Sequence, residues 1–575
     1  MRRLIAPLSY LGTTVALFHE SWAAPTTRFI GLRGDPDQTI WFLAWGAHAV
    51  RHLANPFTSG AILYPDGVNL TWNAAVTLPS VLATPVTVLG GPTLTYNVLM
   101  TVAVASSAWA AYAAARHFGA GAFAAYAGGL LYGFSPFMTT RALGHLNLAF
   151  AAFAPLVLIC AHRALVKDDE PRPRRWALLA GTLLGLQILV WSETVVIIAV
   201  GVAAYTASRY VVEAPRRADI RRRVGRSFAP AAAGALVIGA LPLYHFFLGS
   251  ARPDGPLHAY GKSGTHIGNL VTPSAALQFA PEAAQRITQT ISLGLGGRSA
   301  YIGVPLIVLH GWAIARFRRD VTVRTFALAA AIVVVVSFDP AVTIDGEPRT
   351  ILTSIPLVRH LLPHRSMLMV YLFAAIIVAR FLTDLARTGG RRQLAIGCVA
   401  FGAVALSFLP RLPFPSTDQG VPPAFLRVAP TIPERSVAVV LPASRAMLWQ
   451  ATTDMRFSMP TGRAFARTTT GIRYLERELQ LVGRDPSYRP TRERIERTRR
   501  ELRRLGVRTV LLVPVDRDAS AEADRARYGH GPSALTVAFG DRSTVEMLTE
   551  IFGVAPERSD GAFVWRDPGA PPSSA

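Results

Sequence analysis

Charged residues are scarce in this chain of 575 residues, of which 17% are charged and 51% are hydrophobic. A soluble protein needs roughly a quarter of its residues charged to cover its surface. The mean hydropathy is +0.31. The scarcity of charge excludes an ordinary cytosolic enzyme, and the unbroken apolar content excludes extended disorder. The composition therefore indicates a polytopic membrane protein.

Cysteine and lysine are almost absent. The two cysteines, Cys160 and Cys398, lie in apolar runs, so the sequence has no disulfide framework and no cysteine-based metal spacing. Lys167 and Lys262 are the only lysines, so arginine supplies nearly all of the basic charge behind the net charge of +23. The arginines cluster in short segments between apolar runs, as at the cytoplasmic side of membrane proteins, and no basic-aromatic motif accompanies them. We therefore expect no nucleic-acid partner.

Motifs of nucleotide-driven transport and of serine hydrolases are missing as well. The sequence has no phosphate-binding glycine-rich loop of the GxxxxGK[ST] type and no GxSxG nucleophile elbow. A nucleotide-driven pump is therefore disfavoured.

Apolar runs long enough, or nearly long enough, to cross a bilayer core recur along residues 1–410 and predict about 11–13 transmembrane helices. The first run follows Arg2 and Arg3 and is either an anchor or a cleaved signal peptide, and both readings place the next loop outside the cytoplasm. The runs lie at about 4–22, 75–91, 93–115, 120–138, 146–166, 176–191, 193–212, 228–249, 299–316, 325–338, 366–386 and 393–410.

Arginine placement predicts the orientation of these runs, and therefore a multi-pass protein of the plasma (inner) membrane. The clusters predicted to be cytoplasmic lie at 163–175, 209–226, 316–324 and 387–392. The segments predicted to be extracytoplasmic are the long loops 25–74 and 251–298, the segment 135–147, a tight turn at 191–193, the loop 339–365 and everything after residue 410.

One run conflicts with this orientation. If every run crossed the membrane, loop 25–74 would lie on the cytoplasmic side, so one run between 75 and 138 must fail to span or the loop must hide a crossing. The run at 75–91 contains Pro79, Pro85, Gly90 and Gly91. We expect this run to be re-entrant or half-spanning, because irregular backbone at membrane depth is tolerated where it is buried in protein or lines a cavity.

The chain changes character after Pro410. Strand-like runs at 436–442 and 508–515 flank a charged helix at 491–505, which ends at Gly506. A second helix at 543–552 and a short strand at 562–566 follow. The alternation predicts an extracytoplasmic α/β domain over 411–566 behind a membrane domain over 1–410, with 567–575 as a disordered tail.

The strongest local signal for chemistry is Gly34-Asp35-Pro36-Asp37-Gln38 in the first outside loop. An amphipathic stretch with Trp41 and Trp45 follows, and tryptophans suit the membrane interface. A carboxylate at this rim can accept a proton from a hydroxyl or help to hold a divalent cation. The alternative is that Asp35 or Asp37 caps the helix that follows.

With this motif in place, the chain resembles the GT-C superfamily of integral-membrane glycosyltransferases, in particular its actinobacterial-type members. The shared layout comprises many spans, an acidic first outside loop with a helical stretch at 40–54, a second long outside loop at 251–298 and a C-terminal outside domain. No WWDYG-type motif of oligosaccharyltransferases is present, which argues against N-linked protein glycosylation. Supporting short motifs are Tyr132-Gly133-Phe134-Ser135-Pro136, Gly144-His145-Leu146-Asn147 and Leu361-Leu362-Pro363-His364-Arg365.

The resemblance implies transfer of a sugar from a polyprenyl-phosphate carrier to a hydroxyl on a glycan, lipid or protein at the outer face of the membrane, usually with inversion. Asp35 or Asp37 would activate the acceptor, and both would hold a cofactor such as Mg²⁺ or Mn²⁺ if the enzyme uses one. Arg365, with Arg298 and Lys262 as weaker candidates, would stabilise the departing phosphate. The alternative for Arg365 and Arg298 is an interfacial anchor among membrane lipids.

Other polar residues near the predicted outer ends of spans are candidates for substrate binding. His145 and Asn147 would contact sugar or phosphate, or else start a helix. Glu193, between two apolar runs, must be paired or hydrated if it is buried, and is otherwise a solvated loop residue. His364 lies beside Arg365 and joins this set.

Several weaker features have ordinary explanations. Asp66 reads first as part of a turn. His258 and His266 are too isolated to predict a metal site. Gln450 and Asp454 belong to the C-terminal domain, which would either grip an acceptor polymer or cap the membrane part.

Two other functional classes stay open. One is a transporter or flippase of lipid-linked glycans, which would need ionisable residues along a path and often two related halves. The apolar runs contain few such residues, His245, His310 and Glu193, and no matching halves. The other class is a non-catalytic scaffold of cell-envelope assembly.

Overall fold

The chain is mostly helical. The computed structural model describes residues 4–167, 169–253, 264–291, 299–338, 342–344, 347–349, 361–484, 488–516, 518–528 and 540–568. Their α-helices are α1 (Ile5–Leu17), α2 (His19–Trp22), α3 (Asp35–Arg51), α4 (Thr77–Leu82), α5 (Thr84–His117), α6 (Ala122–Gly133), α7 (Pro136–Ala142), α8 (Leu146–Ala149), α9 (Phe153–Leu165), α10 (Pro173–Val190), α11 (Ser192–Val212), α12 (Arg217–Leu248), α13 (Glu282–Ile291), α14 (Val304–Arg316), α15 (Val321–Phe338), α16 (Met367–Thr388), α17 (Gly390–Ser407), α18 (Pro423–Val428), α19 (Ala443–Gln450), α20 (Thr470–Arg484), α21 (Arg492–Arg504), α22 (Ala519–Arg527) and α23 (Arg542–Phe552).

The strands in the described ranges are two to six residues long. They are β1 (Arg28–Ile30), β2 (Thr58–Ser59), β3 (Val68–Asn69), β4 (Val342–Ile344), β5 (Glu347–Arg349), β6 (Ser416–Asp418), β7 (Val437–Leu441), β8 (Val507–Leu512), β9 (Glu557–Ser559) and β10 (Ala562–Arg566). Three antiparallel pairs, β1–β6, β2–β3 and β4–β5, accompany one four-stranded sheet of order β7-β8-β10-β9. In that sheet β7 and β8 are parallel, and the other neighbours are antiparallel.

Six helical segments in the described ranges are long and apolar enough to cross a membrane, so the protein is a multi-pass membrane protein. The shorter helices α1 and α14 are also apolar. The predicted run at 120–138 is interrupted, because α6 ends at Gly133 and the Ser135 hydroxyl caps α7. The six segments are Thr84–His117, Leu146–Leu165, Ser192–Val212, Ala214–Leu248, Val321–Phe338 and Pro363–Thr388.

The run at 75–91 is irregular, as its prolines and glycines predict. It forms the short helix α4 and the first turns of α5, and α5 then breaks at Gly91 and Pro92. Gly91 has φ 83° and ψ 166°, which a side chain would make unfavourable. Whether this run crosses the bilayer remains a prediction.

Apolar helices form the first of two compact units, which comprises Met1–Trp22, Val98–Leu243 and Pro256–Pro415. Helix α16 is almost wholly buried in it, whereas Phe228 and Val237 of α12 are exposed. Large apolar side chains exposed along a long helix need a non-aqueous neighbour, and lipid supplies one.

The second unit combines the first predicted outside loop with the C-terminal segment: it comprises Ala23–Asn97, Tyr244–Gly255 and Ser416–Ala575. The predicted strands and helices of the C-terminal segment are confirmed as β7, α21, β8, α23 and β10. Gly506, with φ 66°, follows the end of α21 as predicted. The two faces of β7 are both buried, which explains its continuous apolar sequence.

The amphipathic stretch after the acidic motif was expected to place its tryptophans at the membrane interface, and this expectation is wrong. Trp41 and Trp45 do not lie at a protein surface, because both are buried in the core of the second unit beside Trp449 and Phe425. The Trp41 indole donates a hydrogen bond of 2.7 Å to Gln450 Oε1. Helix α3 is therefore a core helix, and hydrophobic periodicity alone could not distinguish protein from lipid as the apolar surroundings.

Candidate functional site

The acidic turn, residues Gly34–Asp37, begins helix α3. Gly34 has φ 136° and ψ −96°, a conformation that is accessible to glycine and strained for other residues. Pro36 fits the first helical turn because it lacks the N–H that this turn leaves unused. Asp35 and Asp37 lie in the same turn, where the partial positive charge of the helix N-terminus favours carboxylates.

Asp37 uses both of its oxygens within the protein. Its Oδ1 accepts a hydrogen bond of 2.9 Å from Arg33 Nη1, and its Oδ2 accepts one of 2.7 Å from the Gly34 N–H. Arg33 is 2% exposed and Asp37 is 6% exposed. Asp37 thus fixes the helix start, but from the third helical position, because Gly34 and not an aspartate is the N-cap residue.

Arg33 connects the acidic turn to the C-terminal segment within the same unit. It also donates to the Asp418 carbonyl, and its Nε lies 3.4 Å from Asp518 Oδ2. Asp518 in turn pairs with Arg445 at 3.2 Å. Burial lowers the pKa of Arg445, the nearby Arg33 lowers it further, and Asp518 opposes the shift. We call Arg33, Asp37, Arg445 and Asp518 the Arg33 network.

Asp35 is the more accessible of the two carboxylates. Its side chain is 36% exposed and pairs with Arg463 Nη2 at 2.6 Å, and the Arg463 side chain is 61% exposed. An exposed pair of this kind exchanges its partners readily, since it is worth at most about 1 kcal/mol. The geometry therefore separates a buried structural carboxylate, Asp37, from a partly exposed one, Asp35.

The acidic turn does not fit a bound Mg²⁺ or Mn²⁺. Both oxygens of Asp37 accept from N–H donors, and Asp35 already pairs with a guanidinium. Arg525 is a further nearby cation: burial lowers its pKa, Arg463 acts in the same direction, and Asp35 opposes them. A dication would have to displace hydrogen-bond donors and approach several guanidinium groups, so we assign no metal step to this turn.

An open, shallow surface cavity of about 320 Å³ lies at the carboxyl ends of the parallel strands β7 and β8. Its wall includes Arg445 and Asp518 of the Arg33 network and the exposed carboxylate Asp516. Carboxyl ends of parallel strands are common ligand sites. Carboxylates can accept hydrogen bonds from vicinal hydroxyl groups, and a guanidinium can donate hydrogen bonds to them.

The second candidate site lies in the first unit, where Glu193 begins helix α11. Its Oε1 accepts a hydrogen bond of 2.9 Å from the Leu362 N–H. Its Oε2 accepts a hydrogen bond of 3.0 Å from the Trp191 indole N–H and also forms an ion pair with Arg365 Nη1. Both charged side chains are 9% exposed. Glu193 is therefore a paired, buried carboxylate and not a solvated loop residue.

Arg365 retains hydrogen-bonding capacity after this pairing. Its Nε is buried and has no hydrogen-bond partner in the described part of the chain. The guanidinium is held by the 3₁₀ helix Pro363–Ser366, whose side chains are all buried. A buried, oriented guanidinium differs from the lipid anchor that was the alternative for Arg365.

Arg141, on α7, is a neighbouring cation that no sequence motif singled out. It is 1% exposed, and its Nη2 donates a hydrogen bond of 2.9 Å to Ser299 Oγ. Burial lowers the pKa of Arg141, Arg365 acts in the same direction, and Glu193 opposes the shift, so the three charges interact. We call Arg141, Glu193 and Arg365 the guanidinium cluster. It holds two guanidinium groups for one carboxylate.

The remaining predicted residues fall near this cluster or into structural roles. His145 lies one helical turn after Arg141, and its backbone N–H donates a hydrogen bond of 2.7 Å to the Arg141 carbonyl. His145 precedes the short helix α8 without a cap bond from its side chain. Asn147 is buried in α8, and His364 is buried beside Arg365. The contacts of these three residues with a substrate remain predictions.

Some of the candidate residues have roles in the fold, and others lie outside the residues that the structure describes. Asp66 forms the expected turn, with Gly67 at φ 70°. Gln450 is buried and donates to the carbonyls of Ala61 and Phe457, so it fixes the core. Arg298, Lys262 and His258 lie outside the described residues.

Solved structures share this architecture. The oligosaccharyltransferase of Archaeoglobus fulgidus, in a crystal structure with Zn and sulfate, matches with a TM-score of 0.54 and 12% sequence identity over 88% of this chain and 68% of that chain. The arabinofuranosyltransferase AftD from Mycobacteria matches with a TM-score of 0.54 and 14% identity over 89% of this chain and 35% of that chain, so this chain spans about a third of AftD. At these identities the likeness establishes the fold.

The fold is therefore that of the GT-C membrane glycosyltransferases, with a sheet-containing C-terminal part, as predicted. A family model described as "Domain of unknown function (DUF6311)" matches residues 10–406, and the chain belongs to this family. No curated protein matches the sequence.

Proposed function

We propose that the protein is a membrane glycosyltransferase that moves a sugar from a polyprenyl-phosphate carrier to a hydroxyl of a glycan, lipid or protein at the outer face of the membrane, with inversion. The observation that carries the proposal is the accessible carboxylate Asp35 at the start of α3, beside a carboxylate that is already fully bonded, in a fold of membrane glycosyltransferases.

Asp35 is the proposed general base. The acceptor oxygen attacks the anomeric carbon of the donor while its proton passes to the Asp35 carboxylate, and the bond from that carbon to the phosphate oxygen breaks. Attack from the face opposite the phosphate inverts the anomeric configuration. Asp37 and Arg33 have a positioning role, since their hydrogen bonds fix the turn that carries Asp35.

The guanidinium cluster is the proposed binding site of the donor phosphate. Negative charge grows on the leaving phosphate in the transition state, and oriented cations in a dry site stabilise such charge strongly. Arg365 and Arg141 supply two positive charges against the single charge of Glu193. An anion would therefore restore the charge balance of this buried group.

The cavity beside Asp518 is the proposed binding site for the acceptor hydroxyls. Arg33 contacts both Asp37 of the acidic turn and Asp518 of the cavity wall, so it links the two. Sugar hydroxyls would donate to Asp516 and Asp518 and accept from Arg445. This favours a glycan among the three acceptor classes.

A radiolabelled polyprenyl-phosphate sugar offered to the purified protein in liposomes tests the proposal. We expect label to move to a water-soluble or lipid-linked acceptor from a cell-envelope extract. Movement of intact donor between leaflets without transfer would favour the flippase, and saturable binding without either reaction would favour the scaffold.

A further inference from the structure

Two histidines and an aspartate meet at the C-terminal end of α3, roughly 20 Å along the helix from the acidic turn. One nitrogen from each of His48 and His52 and one carboxylate oxygen of Asp454 all lie within 4.8 Å of one another. We propose that these three residues bind a transition-metal dication, Zn²⁺ in the first instance. The site is separate from the proposed chemistry and does not rest on it.

The spacing of the ligand atoms suits this ion. His48 Nδ1 lies 3.2 Å from Asp454 Oδ1, and His52 Nε2 lies 3.6 Å from Asp454 Oδ2. Zinc takes nitrogen at about 2.0–2.1 Å and carboxylate oxygen at about 2.0–2.2 Å in a tetrahedron, so neighbouring ligands lie roughly 3.3 Å apart. Small side-chain rotations would bring all three to these separations.

The helix and its neighbours arrange the ligands before any metal binds. His48 and His52 are four residues apart, so both project from one face of the helix end, and their ring centroids are 4.3 Å apart. His48 also stacks on Trp45, whose ring centroid lies 5.3 Å away. Three protein ligands of two imidazoles and one carboxylate match a common zinc set that keeps a fourth position for water.

Arg51 competes with the proposed metal for the Asp454 carboxylate. Its Nη1 pairs with Asp454 Oδ2 at 2.7 Å. The other oxygen, Oδ1, faces His48 and is the one assigned to the metal, so the carboxylate or the His52 ring must rotate to bring Oδ1 within reach of both imidazoles, because His52 now faces Oδ2. Arg51 then acts as an outer partner that orients the ligating carboxylate, as outer partners do in metal sites. A metal here would join the end of α3 to the segment that carries Asp454, within one unit.

Calorimetric titration of Zn²⁺ into the full-length protein, purified in detergent and stripped with chelator, tests the site. We expect one Zn²⁺ per chain, and X-ray absorption at the zinc edge with two imidazole nitrogens and an oxygen near 2.0–2.2 Å. In His52→Ala and Asp454→Asn the affinity should fall more than about tenfold, because even outer partners are worth 10–100-fold. Asn keeps the left-handed backbone of residue 454, where φ is 49°.

His19→Ala is the matched control. His19 is exposed and lies 3.6 Å from the single carboxylate of Glu20, so it reproduces one histidine–carboxylate pair without a second imidazole. Zn²⁺ binding by this variant should equal that of the unchanged protein. No saturable binding, equal affinity in His52→Ala and Asp454→Asn, or an equal loss in His19→Ala would each overturn the site. The folding of every variant is checked by its thermal midpoint in chelator.

Discussion

The acidic turn and the guanidinium cluster each contain one carboxylate whose two oxygens are both bonded, Asp37 in the first and Glu193 in the second, beside other charged groups that differ in exposure. In the acidic turn, Asp37 takes the buried Arg33 and Asp35 keeps an exposed pairing. In the guanidinium cluster, Glu193 pairs with Arg365, and Arg141 adds a second buried guanidinium. The comparison indicates that Asp37 and Glu193 hold the two sites in shape, and that the remaining charged groups differ in exposure.

Burial separates the two sites further. Asp35 is partly exposed, so water can reach its carboxylate. Arg365 and Arg141 are buried, so their interaction with an anion would be weakly screened.

Arg365→Gln should have the largest effect on stability. It leaves Glu193 charged and buried with only neutral donors, and breaking a buried pair costs about 3–5 kcal/mol. A correspondingly large fall in the thermal midpoint of the detergent-purified protein is the expected readout. A midpoint indistinguishable from that of the unchanged protein would show that water or lipid reaches this pair.

Arg33→Gln should have a smaller effect, about 2–3 kcal/mol, because Asp37 keeps the Gly34 N–H and glutamine retains a donor. The same variant should lower transfer, since the turn that carries Asp35 loses its support. Hydrogen exchange at residues 33–39 measures the loosening directly. Unchanged protection in this segment would contradict the role assigned to Arg33.

Gly34→Ala should cost about 1–2 kcal/mol through backbone strain, since φ is 136° at this residue. Gly12→Ala is the matched control. Gly12 lies inside α1, and a Cβ added there would have no heavy atom within 4 Å beyond its own helix backbone and chain neighbours. Alanine at position 12 should leave the thermal midpoint unchanged or raise it, and a fall as large as that of Gly34→Ala would remove the argument for strain.

Arg427→Gln should have the smallest effect. Arg427 pairs with Asp560 at 3.2 Å, and both side chains are more than half exposed. Such pairs contribute about 0–1 kcal/mol. The variant therefore sets the baseline against which Arg365→Gln is read, and a midpoint shift equal to that of Arg365→Gln would show that burial does not decide the cost.

The elements of the fold were largely predictable from the sequence, because each follows from local pattern. The alternation of strands and helices after residue 436 is confirmed, and Ile495 and Leu502 are buried on one face of α21 as expected. The break at Gly91 follows from backbone chemistry. The burial of Trp41 and Trp45 was not predictable, since an apolar helix face has the same pattern against lipid and against protein.

The candidate sites were predictable only one residue at a time. Glu193 and Arg365 were selected separately, but they lie 172 positions apart in the chain, and no local pattern reveals their pairing. Arg33 and Arg141 were missed because one lies just before the acidic motif and the other in a short polar stretch between apolar runs. The separate roles of Asp35 and Asp37 depend on which of them Arg33 contacts, which is a property of the folded chain.

The most direct test of the account compares single-turnover transfer by Asp35→Asn with transfer by Asp560→Asn. Asp560 is an exposed aspartate with an arginine partner, so its variant controls for the loss of such a pair. We predict that Asp35→Asn lowers the rate by about 10²–10⁴-fold, the usual contribution of a general base, with an unchanged thermal midpoint. Equal rates for the two variants would contradict the assignment of Asp35.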